Sequence, residues 1–173
     1  MATQGFLARM TGRTVQLFGL AVSAGAADAG KIPALDSAGR IDASMMPLGI
    51  GASTTQATAS EAIGAGKFVN FWDNAGVFAM RLADNSNGRQ ADGYVTEAVA
   101  SSAVGAVYSL DGANSQLTGL TIGTRYWLGT AGSVTATPLD ETNVANANKI
   151  SQYLGVAKST TELVTDDQGY VVL

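Results

Sequence analysis

The sequence predicts an all-β protein, with an antiparallel sandwich or barrel-like body preceded by an extended N-terminal arm and a short hairpin-like segment. Short apolar runs, many of them alternating with period two, recur about every 8–12 residues from about Thr58 onward, which is typical of such a body. Thr, Val and aromatic residues lie within the runs, and Gly, Asn and Asp lie between them. With 21 glycines and 14% charged residues in 173, the composition indicates a compact, turn-rich chain rather than a disordered one.

Residues 1–50 differ from residues 51–173, and we expect the two parts to be separate units. The first part carries four basic and three acidic side chains, whereas the second carries six basic and eleven acidic ones. The second part is long enough to bury a core of its own. The sequence therefore predicts a slightly basic arm and contact segment joined to an acidic β-rich body.

The arm consists of short apolar pieces interrupted by glycine. Phe6, Leu7 and Met10 fit one face of a helical turn, and Val15, Phe18 and Leu20 fit a second turn less well. Glycine weakens a helix, so the arm as a whole is expected to be extended. Residues 23–30 are small and resemble a flexible linker.

The next segment, 31–47, has the pattern of a short hairpin. Two apolar runs flank Asp36-Ser37-Ala38-Gly39, and Asp at the first and Gly at the last position fit a type I turn. Pro33 and Pro47 keep any strand short or at an edge. The segment holds more apolar groups than two short strands can hide, so these groups must pack on the body, on symmetry copies or on another protein.

The body is expected to hold nine strands, at 67–72, 77–82, 93–98, 105–110, 125–128, 133–137, 151–158, 161–165 and 170–173. Its one helical candidate is 60–65, where Ser60 fits an N-cap and Glu61 the first turn. Residues 140–149 are expected to form a loop or a single helical turn. The predicted core consists of Phe68, Phe71, Val77, Phe78, Leu82, Val95, Val107, Leu120, Tyr126, Leu128, Leu154, Val156, Leu163 and Val171.

The residue inventory argues against an enzyme. The chain has no cysteine and no histidine, which removes thiol nucleophiles, Ser-His pairs and the commonest metal ligand. The adjacent acids at 140–141 and 166–167 fit turns better than a calcium loop or the separated carboxylates of a glycosidase. No catalytic residue, metal site or cofactor is predicted.

Other classes of partner are disfavoured too. An acidic body cannot supply the phosphate contacts that nucleic-acid binding needs, and no apolar run approaches the ~20 residues that span a bilayer. The N-terminus is a poor signal peptide, so we expect the protein to be made and kept in the host cytoplasm. Trp72 and Trp127 are expected in the core or at a subunit interface, with a sugar-binding platform as the alternative.

Two stretches resemble structural proteins of tailed bacteriophages. Residues 30–47 read GKIPALDSAGRIDASMMP, and residues 117–128 read LTGLTIGTRYWL, followed by Gly132, Pro138 and the YLGVA of 153–157. These patterns are similar to head decoration (cement) proteins, head fibre proteins and some tail fibre proteins, with Trp127 where a second tyrosine is more usual. The resemblance implies a capsid or fibre protein, frequently trimeric, in which residues 31–47 contact the capsid or pack around a threefold axis.

The predicted function is therefore that of a non-enzymatic virion protein that decorates and stabilises the outer capsid surface as a homotrimer, with the major capsid protein as partner. Alternatives are a fibre-type module that binds a receptor or host surface glycan, and a tail or baseplate component. The predicted capsid or trimer interface consists of Phe6, Leu7, Met10, Val15, Leu17 and Phe18 in the arm and Ile32, Leu35, Ile41, Met45, Met46 and Leu48 in the segment.

Overall fold

The protein is described by a computed structural model that covers residues 5–37, 39–46 and 53–173. The chain divides into two compact units, Met1–Gly51 and Ala52–Leu173. Leu48, one of the predicted interface residues, lies outside the described residues.

The N-terminal unit begins with a two-stranded antiparallel hairpin, β1 (Gly5–Met10) and β2 (Arg13–Phe18). The helical turns expected here are therefore wrong. Thr11 and Gly12 both have positive φ, at 48° and 80°, and such residues close a tight hairpin turn. Successive side chains of this stretch therefore alternate between the two faces of the hairpin and do not repeat as in a helix.

The segment after the hairpin contains the predicted turn but not the predicted strands. The Gly39 N–H donates to the Asp36 carbonyl at 3.0 Å, which confirms the turn at 36–39. Within residues 31–37 and 39–46, regular pairing is limited to one bridge between Leu20 and Pro33, and Ala43–Met45 forms a 3-10 turn. Pro33 has no N–H to donate, and the Asp42 side chain accepts the Ser44 N–H at 2.9 Å, which bends the chain away from an extended course.

The C-terminal unit begins with a closed barrel in which the strand order is β3-β5-β4-β6-β7. Neighbouring strands are antiparallel except for β3 and β5, which pair in parallel. The strands of the barrel are β3 (Thr54–Ala59), β4 (Phe68–Asn74), β5 (Val77–Leu82), β6 (Gly93–Tyr94) and β7 (Val104–Tyr108).

A second, wholly antiparallel sheet follows, in the order β10-β9-β11-β12-β8, with β13 also paired to β11. The all-β fold class is confirmed, since a barrel and a sheet together make up the body. The strands of this sheet are β8 (Ala113–Asn114), β9 (Arg125–Leu128), β10 (Val134–Thr135), β11 (Ile150–Ala157), β12 (Leu163–Thr165) and β13 (Tyr170–Val172).

Two apolar clusters form the core of this unit. One fills the barrel and is made by Ala57, Ala59, Ile63, Val69, Met80, Val95 and Val107. The other unites barrel strands with the second sheet and is made by Phe68, Ala83, Ala91, Tyr94, Leu110, Leu120, Tyr126, Leu128, Leu154, Ala157 and Leu163. Each large side chain buried in them stabilises the fold by about 1.5–3 kcal/mol.

Most of the predicted core is buried, but three residues are not. Val77, Phe78 and Val171 are 50%, 53% and 62% exposed, which corrects the prediction for them. Val77 and Phe78 lie at the tip of the β4–β5 hairpin, and Val171 lies on the short strand β13. Phe71, Leu82 and Val156 are half-buried.

The helix expected at residues 60–65 is absent. The Glu61 carboxylate accepts the Leu82 N–H at 2.9 Å, and the Ser60 hydroxyl donates to the Met80 carbonyl at 3.2 Å. Both side chains therefore bind the main chain of β5 and do not cap a helix. The only helical feature of residues 140–149 is a 3-10 turn at Val144–Asn146, as expected.

Candidate assembly surface of the N-terminal unit

The β1–β2 hairpin has apolar side chains on both of its faces. Phe6 lies opposite Leu17, and Ala8 lies opposite Val15, so these four share one face. All four are half-buried. The other face carries Leu7, which is 74% exposed, and Phe18, which is 54% exposed. A two-stranded hairpin is marginally stable alone in water, so this hairpin gains stability if its faces are covered.

The charges of the hairpin lie next to its turn. Arg9 and Arg13 flank residues 11–12, and both are exposed. Among the described residues, neither guanidinium forms an ion pair with a carboxylate. The tip of the hairpin is therefore basic, while its strands are apolar.

Carboxylates hold the loop that follows the hairpin. Asp28 accepts hydrogen bonds from the Lys31 ammonium at 2.6 Å and from the Ala24 N–H at 2.5 Å. The bond from Lys31, followed by that from Ala24, lowers the pKa of Asp28. Ser44 donates to Asp42 and lowers the pKa of that carboxyl in the same way. These groups favour one loop conformation while they are ionised.

Main-chain and hydroxyl hydrogen bonds join the two ends of the loop. The Ser23 N–H donates to the Ser44 hydroxyl at 2.8 Å. The Leu20 N–H donates to the Ile32 carbonyl at 2.9 Å, and the Ala34 N–H donates to the Leu20 carbonyl at 2.8 Å. Residues that are widely separated in sequence are thereby held in one compact loop.

The polar and glycine residues of the motif that begins at Gly30 therefore have structural roles. Gly30 and Gly39 have φ of 81° and 76°, values that favour glycine. Asp36 accepts the Arg40 N–H at 2.9 Å, and the Arg40 Nε lies 3.6 Å from its carboxylate. Asp42 and Ser44 hold the 3-10 turn. The polar residues of this motif thus form the hydrogen bonds that hold the loop in its conformation.

The apolar positions of the same motif point outward. Ile32 is 51% exposed, Leu35 61%, Ile41 52% and Met46 41%, whereas Met45 is half-buried. Large aliphatic side chains exposed at this density on a small unit are typical of an association surface. Val22, 61% exposed, belongs to the same unit and was missed because it adjoins the small-residue stretch interpreted as a linker.

The aromatic residues of the body form two local groups. Trp127 contacts Tyr153 edge-on, with ring centroids 5.9 Å apart. The Arg81 guanidinium lies 4.7 Å from the centre of the Trp72 ring, a cation–π contact. Beside it, an open depression of about 420 Å³ is lined by Phe71, Trp72, Asp73 and Phe78. Both tryptophans are half-buried.

The carboxylates that sequence analysis considered for calcium or catalysis serve turns. Asp140 accepts hydrogen bonds from the N–H and the hydroxyl of Thr142, at 2.9 and 2.7 Å. Asp167 accepts the Gly169 N–H at 3.2 Å. Across residues 5–37, 39–46 and 53–173, no three Asp or Glu side chains converge on a common point. In the same residues no helix has the length and apolar character needed to cross a membrane.

No protein family matches the sequence, and no curated protein matches it. A comparison of folds does find a match. The chain is similar to the N base of the head fiber gp8.5 of bacteriophage phi29. The TM-score is 0.44 and the identity 15%, over 68% of this chain and 89% of that one.

Proposed function

We propose that the protein is a non-enzymatic structural component of a tailed-phage virion, which decorates and stabilises the capsid surface as a homotrimer. The observation that carries the proposal is the organisation of the loop at 30–46. Its polar side chains hold its conformation, and Ile32, Leu35 and Ile41 remain more than half exposed. A loop whose conformation is held by its own polar groups, and whose exposed side chains are apolar, is suited to pack against other proteins.

The energetics favour a multivalent attachment. Each aliphatic side chain that moves from water into an interface contributes about 1.5–3 kcal/mol, from which the cost of association and side-chain ordering must be subtracted. A trimer presents three such loops to a capsid that has repeated binding sites. Binding of the first loop raises the effective concentration of the other two, and the overall affinity rises without new contacts.

The charge distribution suggests the orientation. Arg9 and Arg13 make the hairpin basic, whereas residues 51–173 carry eleven acidic and six basic side chains. We propose that the N-terminal unit lies against the major capsid protein and that the acidic body faces solvent on the outer capsid. The protein would be made in the host cytoplasm. The position of a label attached to residues 51–173, on the head or on the tail of intact virions, distinguishes this location from the tail or baseplate.

The proposal includes no reaction, nucleic acid or membrane. The sequence has no histidine or cysteine, and the carboxylates Asp84, Asp92 and Asp140 accept hydrogen bonds from neighbouring main-chain or side-chain groups. Carboxylates held in this way stabilise turns and strand ends. These observations therefore support a structural role for the protein.

The test is capsid binding by a triple variant, Ile32→Ser, Leu35→Ser and Ile41→Ser. Replacing three exposed apolar side chains leaves the body folded but removes the proposed contact, so we expect capsid affinity to fall at least about 100-fold. Co-sedimentation with capsids that lack the native protein measures this. The matched control is Ile122→Ser, at a residue of the body that is 67% exposed. Equal binding by the triple variant and the control would contradict the proposal.

A second candidate function is recognition of a host surface glycan by the β4–β5 hairpin. The observation that favours it is the open depression lined by Phe71, Trp72, Asp73 and Phe78, because aromatic faces and carboxylates bind the apolar and hydroxyl groups of sugars. Phe78→Ser would then abolish binding to host cells, while Val104→Ser, at another exposed body residue, would not. Unchanged cell binding by Phe78→Ser would eliminate this candidate.

A further inference from the structure

The loop between β5 and β6 contains an Asn-Gly pair, Asn87-Gly88, which occurs once in the chain. The loop is closed at its base by two main-chain hydrogen bonds. The Asp84 N–H donates to the Arg89 carbonyl at 2.7 Å, and the Arg89 N–H donates to the Asp84 carbonyl at 3.3 Å. The pair therefore lies at the end of a short, anchored loop.

Both groups that would react with each other are accessible. Asn87 and Gly88 are exposed, and no atom outside residues 87–89 lies within 4 Å of the place where a Cβ of Gly88 would be. Among the described residues, neither the side-chain amide of Asn87 nor the N–H of Gly88 has a hydrogen-bond partner. Nothing in the fold therefore holds these two groups apart or occupies them.

The same loop contains an internal comparison. Asn85 is only 7% exposed, and its amide donates to the Leu128 carbonyl at 2.9 Å. The N–H that follows it, on Ser86, donates to the Asp84 carboxylate at 2.9 Å. Both reacting groups are engaged at Asn85-Ser86, and both are available at Asn87-Gly88, two residues further along.

We propose that Asn87 is a site of spontaneous deamidation in the folded protein. Asparagine is among the chemically labile residues, and glycine lets its nitrogen approach closely because it has no side chain. The Gly88 nitrogen gives its proton to hydroxide and bonds to the side-chain carbonyl carbon of Asn87. The bond from that carbon to the amide nitrogen then breaks while the nitrogen takes a proton from water, so ammonia leaves and hydroxide is regenerated. Water opens the resulting cyclic imide to aspartate or to isoaspartate.

The modification would change the loop in two ways. It adds a carboxylate close to Asp84, and the isoaspartate form adds one methylene to the main chain between residues 87 and 88. Asp84 accepts the Ala131 N–H at 3.0 Å and thereby connects this loop to the β9–β10 turn. We expect the extra charge and the longer main chain to weaken this connection, so the modified protein unfolds at lower denaturant concentration.

The experiment is a time course on the full-length folded protein at mildly alkaline and mildly acidic pH. Acidic digestion and mass spectrometry then quantify deamidation at each asparagine, and an isoaspartate methyltransferase assay identifies the isomer. We expect deamidation at Asn87, faster at the alkaline pH because the amide nitrogen must lose a proton, and none at Asn85 in the same digest. Asn87→Gln should remove the isoaspartate signal.

Three results would overturn the proposal. One is retention of the Asn87 amide in the folded protein over a period in which the urea-unfolded chain is converted. Another is conversion of Asn85 at the same rate as Asn87, which would show that the local structure does not control the reaction. Retention of the amide in both folded and unfolded chains would also refute it.

Discussion

Gln152 joins the barrel to the second sheet through a pair of hydrogen bonds. It is 2% exposed, its oxygen accepts the Ala91 N–H at 2.7 Å, and its nitrogen donates to the Ala91 carbonyl at 2.8 Å. The side chain thus satisfies two main-chain groups that would otherwise be buried without a partner. Burying such groups without a hydrogen bond is costly.

Gln152→Leu should destabilise the protein by about 2–6 kcal/mol, because it leaves both the N–H and the carbonyl of Ala91 unsatisfied at about 1–3 kcal/mol each. Urea denaturation followed by tryptophan fluorescence measures this. The control is Gln168→Leu, at an exposed position, where a change within about 0.5 kcal/mol is expected. Similar losses in the two variants would refute the role given to Gln152.

The lowered pKa of Asp84 makes the stability of the folded protein depend on pH. Burial raises its pKa, but hydrogen bonds from Ser86 and Ala131 outweigh burial, so the pKa lies below its ordinary value. A lowered pKa in the folded state gives stability that is complete above the unfolded pKa of about 3.9 and is lost as the pH falls through the folded value.

We therefore expect the unfolding free energy to fall below about pH 4, and the fall to be shallower in Asp84→Asn. Denaturant titrations at a series of acidic pH values measure it. Glu141→Gln, at an exposed carboxylate, should keep the native slope. An unchanged slope in Asp84→Asn would mean that this group does not contribute to acid denaturation.

At the scale of elements, strand periodicity could be interpreted from sequence wherever apolar and turn residues alternate clearly. The predicted bounds at 77–82 and 125–128 are those of β5 and β9. β1 and β2 were missed because Phe6, Leu7 and Met10 also fit a helical turn, and the pairing that decides between the two lies across the hairpin. β3 (Thr54–Ala59) was largely missed because Thr, Gln and Ala give little apolar contrast.

The candidate surface was predictable in its residues but not in its geometry. Sequence analysis identified Ile32, Leu35 and Ile41 as surplus apolar groups, and the structure shows each of them more than half exposed. It assigned them to short strands, however, because a tight turn between apolar runs usually indicates a hairpin. The hydrogen bonds made by Asp28 and Asp42, which determine the actual loop, depend on side-chain placement that no periodicity reveals.

The hydrogen bond from the Ser44 N–H to the Asp42 carboxylate leads to a prediction about the loop. Asp42→Ala removes the acceptor for the Ser44 N–H, so hydrogen exchange of residues 39–46 should become faster and capsid affinity should fall, because the loop must be ordered on binding. Asp42→Asn keeps an oxygen acceptor and should behave nearly as the native protein. Unfolding of the C-terminal unit should not change in either variant. Equal hydrogen-exchange rates in Asp42→Ala and the native protein would contradict the role of Asp42 in holding the loop.

At the scale of the whole molecule, the two units have complementary properties. The C-terminal unit buries two apolar clusters, and its buried polar side chains Asn114 and Gln152 form hydrogen bonds with main-chain groups. The described part of the N-terminal unit instead exposes many of its large apolar side chains. This contrast is expected of a protein that folds through its body and assembles through its arm and loop.

The central claim is that these exposed side chains are covered by assembly, and the solution mass of the full-length protein tests it most directly. Light scattering over a range of concentrations should give a constant mass of three times the chain mass of 17.6 kDa. A native protein that remains monomeric at every concentration would contradict the trimer.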